Sequence, residues 1–363
     1  MTAADDVALL RALAARPRFT GTDDLASARR HCAGVLRDMG FAVREQPFAY
    51  SALPARCGMP AVGLTSIALL GGTLAVARAR GAGWTLAAAA AGVLLLAGLA
   101  RWLSSAWALR VPAARARGVN LEATRGSETP GLWLVAHLDS KSQRYPLALR
   151  AAGASLTIAA WVVAMALSAA GVAGVGGWPQ LWISGAVGAV GGALLMFVGT
   201  GNDSPGAVDN ASGVVAVLSA ARRLDPSVAV GVLLTDAEEM GLAGAHAWAA
   251  SRAAGTAINC DTVDDRGAYA VLGSGRRSAA LAAAVERAAR ALALPVAARR
   301  LPAGILTDGV ALTRAGWRAV TVSRAGVATL LRIHTPRDSV GQLEGTGIDA
   351  VAELLATAVR ELR

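Results

Sequence analysis

Four long apolar stretches limit what this 363-residue chain can fold into. They run from about Pro60 to Ala77, Trp84 to Ala100, Ala151 to Val172 and Leu181 to Gly199, and none contains a charged residue. Each is close to the roughly 17–25 residues that a helix needs to cross about 30 Å of hydrocarbon. The alternative is a set of buried helices in a soluble protein, which are usually shorter and amphipathic. The stretches therefore predict four transmembrane helices and a lipid bilayer as a partner.

Short links pair these stretches into two helical hairpins. RARGAG joins the first two stretches and GVAGVGGWPQ joins the last two, so each hairpin returns the chain to the side from which it came. Arginine is enriched where the hairpins meet the remaining sequence, for example at Arg56, Arg101 and Arg110. Basic residues favour the cytoplasmic side of a membrane, and the N-terminal sequence has no signal-peptide pattern. We therefore expect an integral protein of the bacterial plasma membrane whose soluble part is cytoplasmic.

The composition excludes several other classes of protein. With 54% hydrophobic and 17% charged residues, the chain is too apolar to be disordered. Its three cysteines, Cys32, Cys57 and Cys260, are too few for a disulfide framework. The net charge of +10 comes from 35 basic residues, of which one, Lys141, is lysine. Such a uniform use of arginine is typical of a coding bias, so nucleic acid is not predicted as a partner.

Outside the hairpins, strand-like and helix-like segments alternate. Apolar runs of strand length occur at 41–50, 118–124, 132–139, 228–236, 256–261 and 318–323. Helical patterns occur at 22–40, 210–223, 241–251, 277–293 and 347–363. This alternation predicts an α/β fold with a mainly parallel mixed sheet flanked by helices. In such sheets, ligands gather at the carboxyl ends of the strands.

Two of the four histidines occupy positions that suggest chemistry. His31 is on the charged side of a helix and His246 is in an alanine-rich helix, so both are interpreted as structural or solvated. His137 ends an apolar strand, with Asp139 two residues further on and on the same side. A carboxylate there could hold the second ring nitrogen of a metal-bound imidazole. The other candidate, His334, lies in a polar turn.

Carboxylates mark the ends of the neighbouring apolar strands. Glu238 and Glu239 follow one strand, Asp261 ends the next, and Asp209 begins a helix, where it could equally be a simple cap. Two adjacent carboxylates at a strand end are costly to bring together without a cation between them. With the two histidines, these residues provide the ligands of a two-zinc hydrolytic site.

The motifs that carry these residues resemble those of metallopeptidase family 28, the zinc aminopeptidases of the bacterial leucyl aminopeptidase and aminopeptidase Y type. The matching pieces are AHLDS, GAVDNASG, DAEEMGLAGA, INCD and HTPRDS, in the family's order. The resemblance covers the sequence outside the hairpins. It implies a zinc exopeptidase fold and an aminopeptidase that uses a water activated by two Zn²⁺ ions. Its substrate would be a peptide or small amide.

The resemblance also implies a role for each residue. His137 and Asp261 would hold one zinc, Glu239 and His334 the other, and Asp209 would bridge both. Glu238 would be the general base and Asp139 would orient His137. A cis peptide would follow Asp209. Asp308 lies where the family often has a Ser-Asp pair close to the site.

The chain departs from the family in its two inserted hairpins. His137 and Asp209 are 72 positions apart, far more than in a typical relative, because the second hairpin lies between them. Residues 1–58, 104–148 and 200–363 are therefore predicted to form one exopeptidase domain. Residues 59–103 and 149–199 would be the transmembrane hairpins. Because ten residues separate Gly199 from Asp209, we expect the site close to the membrane and its substrates to be membrane-proximal.

Other functions of the same sequence are a carboxypeptidase or a deacylase of the same clan. Glutaminyl cyclases share the implied fold but use one zinc, whereas five ligand positions are retained here. A catalytically silent membrane scaffold is the alternative from a different class, disfavoured by the retention of Glu238 with all five ligands. A transporter is disfavoured because the apolar stretches contain no ionisable residue.

Overall fold

The computed structural model describes residues 3–175, 179–302 and 304–362. These residues form two compact units. The α/β unit comprises Met1–Tyr50, Arg115–Ser142 and Gly201–Arg363, and the helical unit comprises Ser51–Ala114 and Gln143–Thr200. Each unit is therefore assembled from segments that are separated in sequence.

Both units contain helices. In chain order these are α1 Ala3–Leu13, α2 Asp23–Asp38, α3 Leu53–Arg80, α4 Ala82–Leu103, α5 Leu147–Val172, α6 Pro179–Met196, α7 Ser212–Arg223, α8 Ala243–Ala249, α9 Ala279–Ala291, α10 Asp308–Arg314, α11 Val327–Arg332 and α12 Thr346–Glu361. The strands are β1 Ala42–Ser51, β2 Arg115–Arg125, β3 Leu132–His137, β4 Ser142–Gln143, β5 Thr200–Gly201, β6 Val230–Thr235, β7 Thr256–Val263, β8 Ala268–Gly273, β9 Ala297–Arg300 and β10 Arg318–Ala325.

An eight-stranded mixed sheet organises the α/β unit. Its order is β1-β2-β6-β3-β7-β10-β8-β9. The four central strands β6, β3, β7 and β10 are parallel to one another, while β2 and β8 pair antiparallel at the two sides. The predicted α/β class with flanking helices is confirmed. The central parallel strands bring their carboxyl ends to one edge, which is where the site lies.

The central strands are continuous apolar runs in the sequence because they lie in the core of the α/β unit. Every residue of β6 is buried, as is nearly every residue of β3 and β7, because helices pack against the sheet. Trp133, Trp248 and Trp317 form one aromatic cluster, with ring centroids 4.7 and 4.8 Å apart. This cluster packs α8 and the segment before β10 against the sheet.

Local signals explain most of the element bounds. Thr22 caps α2 by accepting a hydrogen bond from the Leu25 amide at 3.3 Å, as the sequence predicted. The predicted helix at 210–223 begins two residues later, at Ser212, because a turn carrying Asp209 precedes it. The sequence interpretation missed β8 and β9, which extend the sheet beyond β10.

The helical unit contains α3, α4, α5 and α6, with α3 packed on α4 and α6, and α5 packed on α4 and α6. By length and composition, α3, α4 and α5 are apolar and long enough to cross a membrane, and α6 is a shorter apolar helix. The fourth predicted span therefore stays a prediction. The link between the last two predicted spans includes residues 176–178, which lie outside the described residues.

Glycines allow close approach between the helices of this unit. A Cβ added at Gly191 of α6 would lie 2.7 Å from the backbone nitrogen of Thr157 and 2.9 Å from the carbonyl oxygen of Gly153. Both partners are backbone atoms of α5, which cannot move aside as a side chain can. Small residues at such crossings are typical of helices packed in a membrane.

We expect Gly191→Ala to lower the thermal midpoint of the detergent-solubilised protein, because the new methyl group must push α5 and α6 apart. Gly98→Ala is the matched control: no heavy atom lies within 4 Å of the added Cβ, and alanine favours a helix more than glycine does. An equal effect of both substitutions on the midpoint would contradict this account of the packing.

Candidate metal centre

The site lies at the carboxyl edge of the central strands. His137 ends β3, Glu238 and Glu239 follow β6, and Asp261 lies near the end of β7. Because β3 pairs in parallel with both β6 and β7, these strand ends are neighbours. Asp209 comes from the turn before α7, and His334 follows α11. The structure thus brings all six predicted residues together.

The six side chains form two groups of three, all buried. His137, Glu238 and Asp261 form the first group, and Asp209, Glu239 and His334 form the second. Within each group, one ligand atom per residue lies within 4.8 Å of the others. Asp209 also joins the groups, since its Oδ1 is 3.1 Å from His137 Nε2 and its Oδ2 is 3.0 Å from His334 Nε2.

The donor atoms fit metal ions. Imidazole nitrogens and carboxylate oxygens are the ligands that Zn²⁺ takes in proteins besides thiolates. The buried Glu239 Oε1 has no hydrogen-bond partner among the described residues, although it lies 3.0 Å from His334 Nε2. Burying several carboxylates together is costly unless cations compensate them. The arrangement can therefore hold a cation between each group's ligands.

The electrostatic environment separates the two adjacent glutamates. Burial, followed by the neighbouring charges of Glu239 and Asp261, raises the pKa of Glu238 well above its ordinary value. Burial would also raise the pKa of Glu239, but His334 and Lys141 outweigh it and lower that pKa to about 2. A carboxyl group with a raised pKa is suited to accept and return a proton, whereas Glu239 is suited to remain an anion.

Asp139 contacts its neighbours differently from the expectation. His137 Nδ1 lies 2.9 Å from the backbone carbonyl oxygen of Asp139 and 3.7 Å from its carboxylate Oδ1. The two carboxylate oxygens accept hydrogen bonds from the backbone amides of Glu238 and Glu239, each at 3.1 Å. The carbonyl therefore holds the ring, and the carboxylate holds the turn that carries both glutamates.

Residues that the sequence interpretation did not single out position Asp209. The Asp338 carboxylate accepts hydrogen bonds from the amides of Val208 and Asp209, at 2.7 and 3.1 Å. The Asn210 side chain donates to the Cys260 carbonyl at 2.9 Å, which ties this turn to β7. The peptide between Asp209 and Asn210 is cis, as the family resemblance implied. Asp338 lies within the quoted motif HTPRDS, so its position was a usable signal.

Lys141 is the other contact that local sequence patterns did not reveal. Its Nζ lies 2.6 Å from Glu239 Oε2, and both side chains are largely buried.

The remaining expectations concern residues outside the cluster. Asp308 is fully buried and accepts a hydrogen bond from Thr235 Oγ1 at 2.5 Å, which places it behind the β6 strand end. His31 is exposed and His246 lies on α8, so both lie outside the two metal-ligand groups.

The Arg18 side chain links the two chain segments that carry His137 and Asp209 through hydrogen bonds, a set of contacts that we call the Arg18 staple. Its guanidinium is 1% exposed and donates to four backbone carbonyls at 2.6 to 3.0 Å. The acceptors are Leu13, Leu138, Pro205 and Gly206. Burial lowers the pKa of Arg18 to about 10, so it stays charged at neutral pH. One side chain thus joins the residue after His137 to the loop before Asp209.

Arg18→Met should lower the free energy of unfolding by about 3 kcal/mol or more, because it leaves several buried carbonyl groups without donors. Arg16→Met is the matched control, since the Arg16 side chain is 77% exposed and its ion pair with Asp24 is long, at 3.7 Å. The control should change stability by less than about 0.5 kcal/mol. Chemical unfolding followed by tryptophan fluorescence measures both. Equal stabilities would show that the staple is not needed.

Sequence comparison assigns the region that contains most of the site. Residues 189–359 match the model of peptidase family M28. That range includes Asp209, Glu238, Glu239, Asp261 and His334, while His137 precedes it. Among curated protein sequences, no match to the chain was found.

Solved structures share the fold at low sequence identity. A leucine aminopeptidase precursor from Bacteroides thetaiotaomicron is 15% identical with a TM-score of 0.60, over 99% of this chain and 96% of that one. A zinc aminopeptidase from Bacillus subtilis is 14% identical with a TM-score of 0.57, over 99% and 95%. Porphyromonas gingivalis glutaminyl cyclase is 17% identical with a TM-score of 0.58, over 99% and 97%.

The fold is shared with zinc aminopeptidases and with glutaminyl cyclases, and the two buried ligand groups could hold metal ions. Residues 189–359, just under half of the chain, resemble peptidase family M28, and together with the zinc aminopeptidases of the same fold this match supports a metallopeptidase. The resemblance expected from the sequence motifs is therefore confirmed for residues 189–359.

Proposed function

We propose that the protein is a membrane-anchored di-zinc exopeptidase that removes N-terminal residues from peptides. The observation that carries this proposal is the pair of buried ligand groups joined by Asp209, with Glu238 beside them. The aminopeptidases among the structures with this fold support the direction of cleavage. The substrate is a peptide or small amide, and nucleic acid is not a partner.

In this proposal each metal has two ligands of its own and shares a third. His137 and Asp261 would hold one zinc, Glu239 and His334 would hold the other, and Asp209 would be shared between them. The near-equal distances from the two Asp209 oxygens to the two imidazoles support the shared role. The family and the zinc aminopeptidase with the same fold support zinc as the metal.

Bound zinc would supply a polarised scissile carbonyl and a water of lowered pKa. The protein's own residues supply the proton transfers. Glu238, which belongs to the first ligand group and directly precedes Glu239 of the second, would accept the proton of the attacking water and return it to the leaving amine. The Asp139 carboxylate positions Glu238 by binding its backbone amide. Burial of the cluster keeps bulk water from screening these interactions.

Glu238→Gln tests the assignment of the general base. The variant should retain two zinc ions per chain and lose about 10²- to 10⁴-fold in kcat, because glutamine cannot take up the proton. Zinc content is measured by elemental analysis, and activity on aminoacyl amides. Since Glu238 also lies within ligand distance of His137 and Asp261, loss of a zinc ion would instead show that it is a ligand.

A peptide-library digest with the solubilised wild-type protein tests the direction of cleavage. Products shortened from the N-terminus support an aminopeptidase. Products shortened from the C-terminus indicate a carboxypeptidase, release of an acyl group a deacylase, and formation of N-terminal pyroglutamate a cyclase. Zinc-loaded protein that acts on none of these substrates would favour a membrane scaffold and would refute the proposal.

The helical unit supports membrane anchoring by the helices within 59–103 and 149–199. Its helices expose large apolar side chains, including Leu94 at 72%, Ile183 at 67% and Ile158 at 64%. Soluble proteins rarely expose so many apolar side chains together, whereas a hydrocarbon layer would cover them. The 18 residues of α6 would span about 27 Å, close to the bilayer core.

The arginine distribution supports a cytoplasmic α/β unit, and labelling with a membrane-impermeant thiol reagent tests it. In a Cys57→Ser background, Ala79→Cys places a thiol at the exposed end of α3, and Ser127→Cys places one on an exposed loop of the α/β unit. We expect intact cells to label the first variant and only permeabilised cells to label the second. The reverse pattern would mean the opposite orientation.

A further inference from the structure

Lys141 is unusual in both sequence and position. It is the one lysine among 35 basic residues, so arginine is used everywhere else. Its side chain is 11% exposed, and its Nζ lies 2.6 Å from Oε2 of Glu239. A compact ammonium is a point charge, whereas arginine is a planar fork that needs more room. The one compact ammonium of the chain therefore lies beside a carboxylate of the second ligand group.

The contacts of Glu239 are divided between its two oxygens. Oε2 accepts the hydrogen bond from Lys141. Oε1 lies 3.0 Å from His334 Nε2 and has no hydrogen-bond partner among the described residues. The carboxylate thus presents one oxygen to the group formed with Asp209 and His334, while the other is already paired with a positive charge.

The first ligand group has no equivalent cation. Among the described residues, no ion pair joins a lysine or arginine to His137, Glu238 or Asp261. The two groups therefore differ in charge, although both are buried and each has one histidine and two carboxylates.

We propose that Lys141 is an internal cation that competes with the metal ion at the group of Asp209, Glu239 and His334, and makes this the weaker of the two metal positions. The proposal rests on the proposed function, since it takes both groups to bind zinc. It goes beyond that function by assigning unequal affinities and the residue that causes them.

Three physical effects of Lys141 each weaken metal binding at the group of Asp209, Glu239 and His334. The ammonium repels a cation bound nearby, and the repulsion is strong because the surroundings are buried. It also withdraws negative charge from Glu239, which becomes a poorer ligand. Finally, the Lys141–Glu239 pair stabilises the protein before metal binds, because it compensates a carboxylate that would otherwise be buried and unpaired. Each effect lowers the affinity of that position.

The opposite expectation follows if Lys141 merely orients Glu239. Groups that orient metal ligands raise affinity, and their removal typically weakens metal binding by about 10- to 100-fold. Neutralising Lys141 therefore distinguishes the two roles by the direction of the change.

Zinc titration of the full-length, detergent-solubilised protein tests the proposal. After removal of metal, Zn²⁺ is added in competition with a chromophoric chelator, which gives the dissociation constant of each step. Wild type should bind in two steps. Because it removes the repulsion between two buried positive charges, Lys141→Met should tighten the weaker step by about tenfold or more and leave the stronger step nearly unchanged. Lys141→Gln repeats the test with a polar neutral side chain in case methionine disturbs folding.

Two control variants complete the experiment. Lys141→Arg keeps the charge and should keep the weaker step weak. His334→Ala removes a ligand of the second group and should abolish the weaker step, which assigns that step to this group. The proposal is overturned if both neutral variants leave the weaker step unchanged or weaken it, or if His334→Ala abolishes the stronger step.

Aminopeptidase activity of the zinc-loaded wild type separates this inference from the proposed function. If wild type hydrolyses amides but the neutral Lys141 variants do not bind zinc more tightly, the role of Lys141 is refuted and the proposed function stands. If the neutral variants bind zinc more tightly but wild type hydrolyses no amide, the proposed function is refuted and the role of Lys141 stands. A wild type that binds no zinc refutes both.

Discussion

The α/β unit must accommodate a concentration of negative charge at one edge of its sheet. Asp139, Asp209, Glu238, Glu239 and Asp261 are each less than 9% exposed, and they meet where the parallel strands end. Water does not screen these carboxylates, so the protein must compensate them. Backbone amides bind Asp139, imidazoles approach Asp209, and an ammonium pairs with Glu239. The negative charge that these contacts leave uncompensated favours the binding of cations.

The sequence predicted much of this edge because of a general property of parallel sheets. Apolar runs ending in His137, in Glu238 and in Asp261 indicate buried strands with polar ends, and parallel strands place those ends together. The helical spacing of apolar residues in α2 and its cap at Thr22 could also be predicted from the sequence, since both depend on neighbouring residues. The family resemblance added the pairing of ligands, which periodicity alone does not contain.

What the sequence could not predict depends on contacts between distant residues. Arg18 and Pro205 are 187 positions apart, and nothing around Arg18 indicates a buried staple. The two oxygens of Asp139 bind amides about 100 positions away, which no local pattern reveals. Edge strand β9 was missed because its four residues are partly or fully exposed and carry two arginines, so they lack the apolar alternation of a core strand.

The Arg18 staple has a consequence for how the chain accommodates α5 and α6. The guanidinium holds Leu138 and Pro205 to one centre, so the chain between these residues is a closed loop whose ends the α/β unit has already fixed. The entropy of closing a loop grows only slowly with its length. The length of the insertion by itself therefore adds little to the entropic cost of bringing its two ends together. Two residues of the candidate metal centre, His137 and Asp209, thus lie on either side of a large insertion.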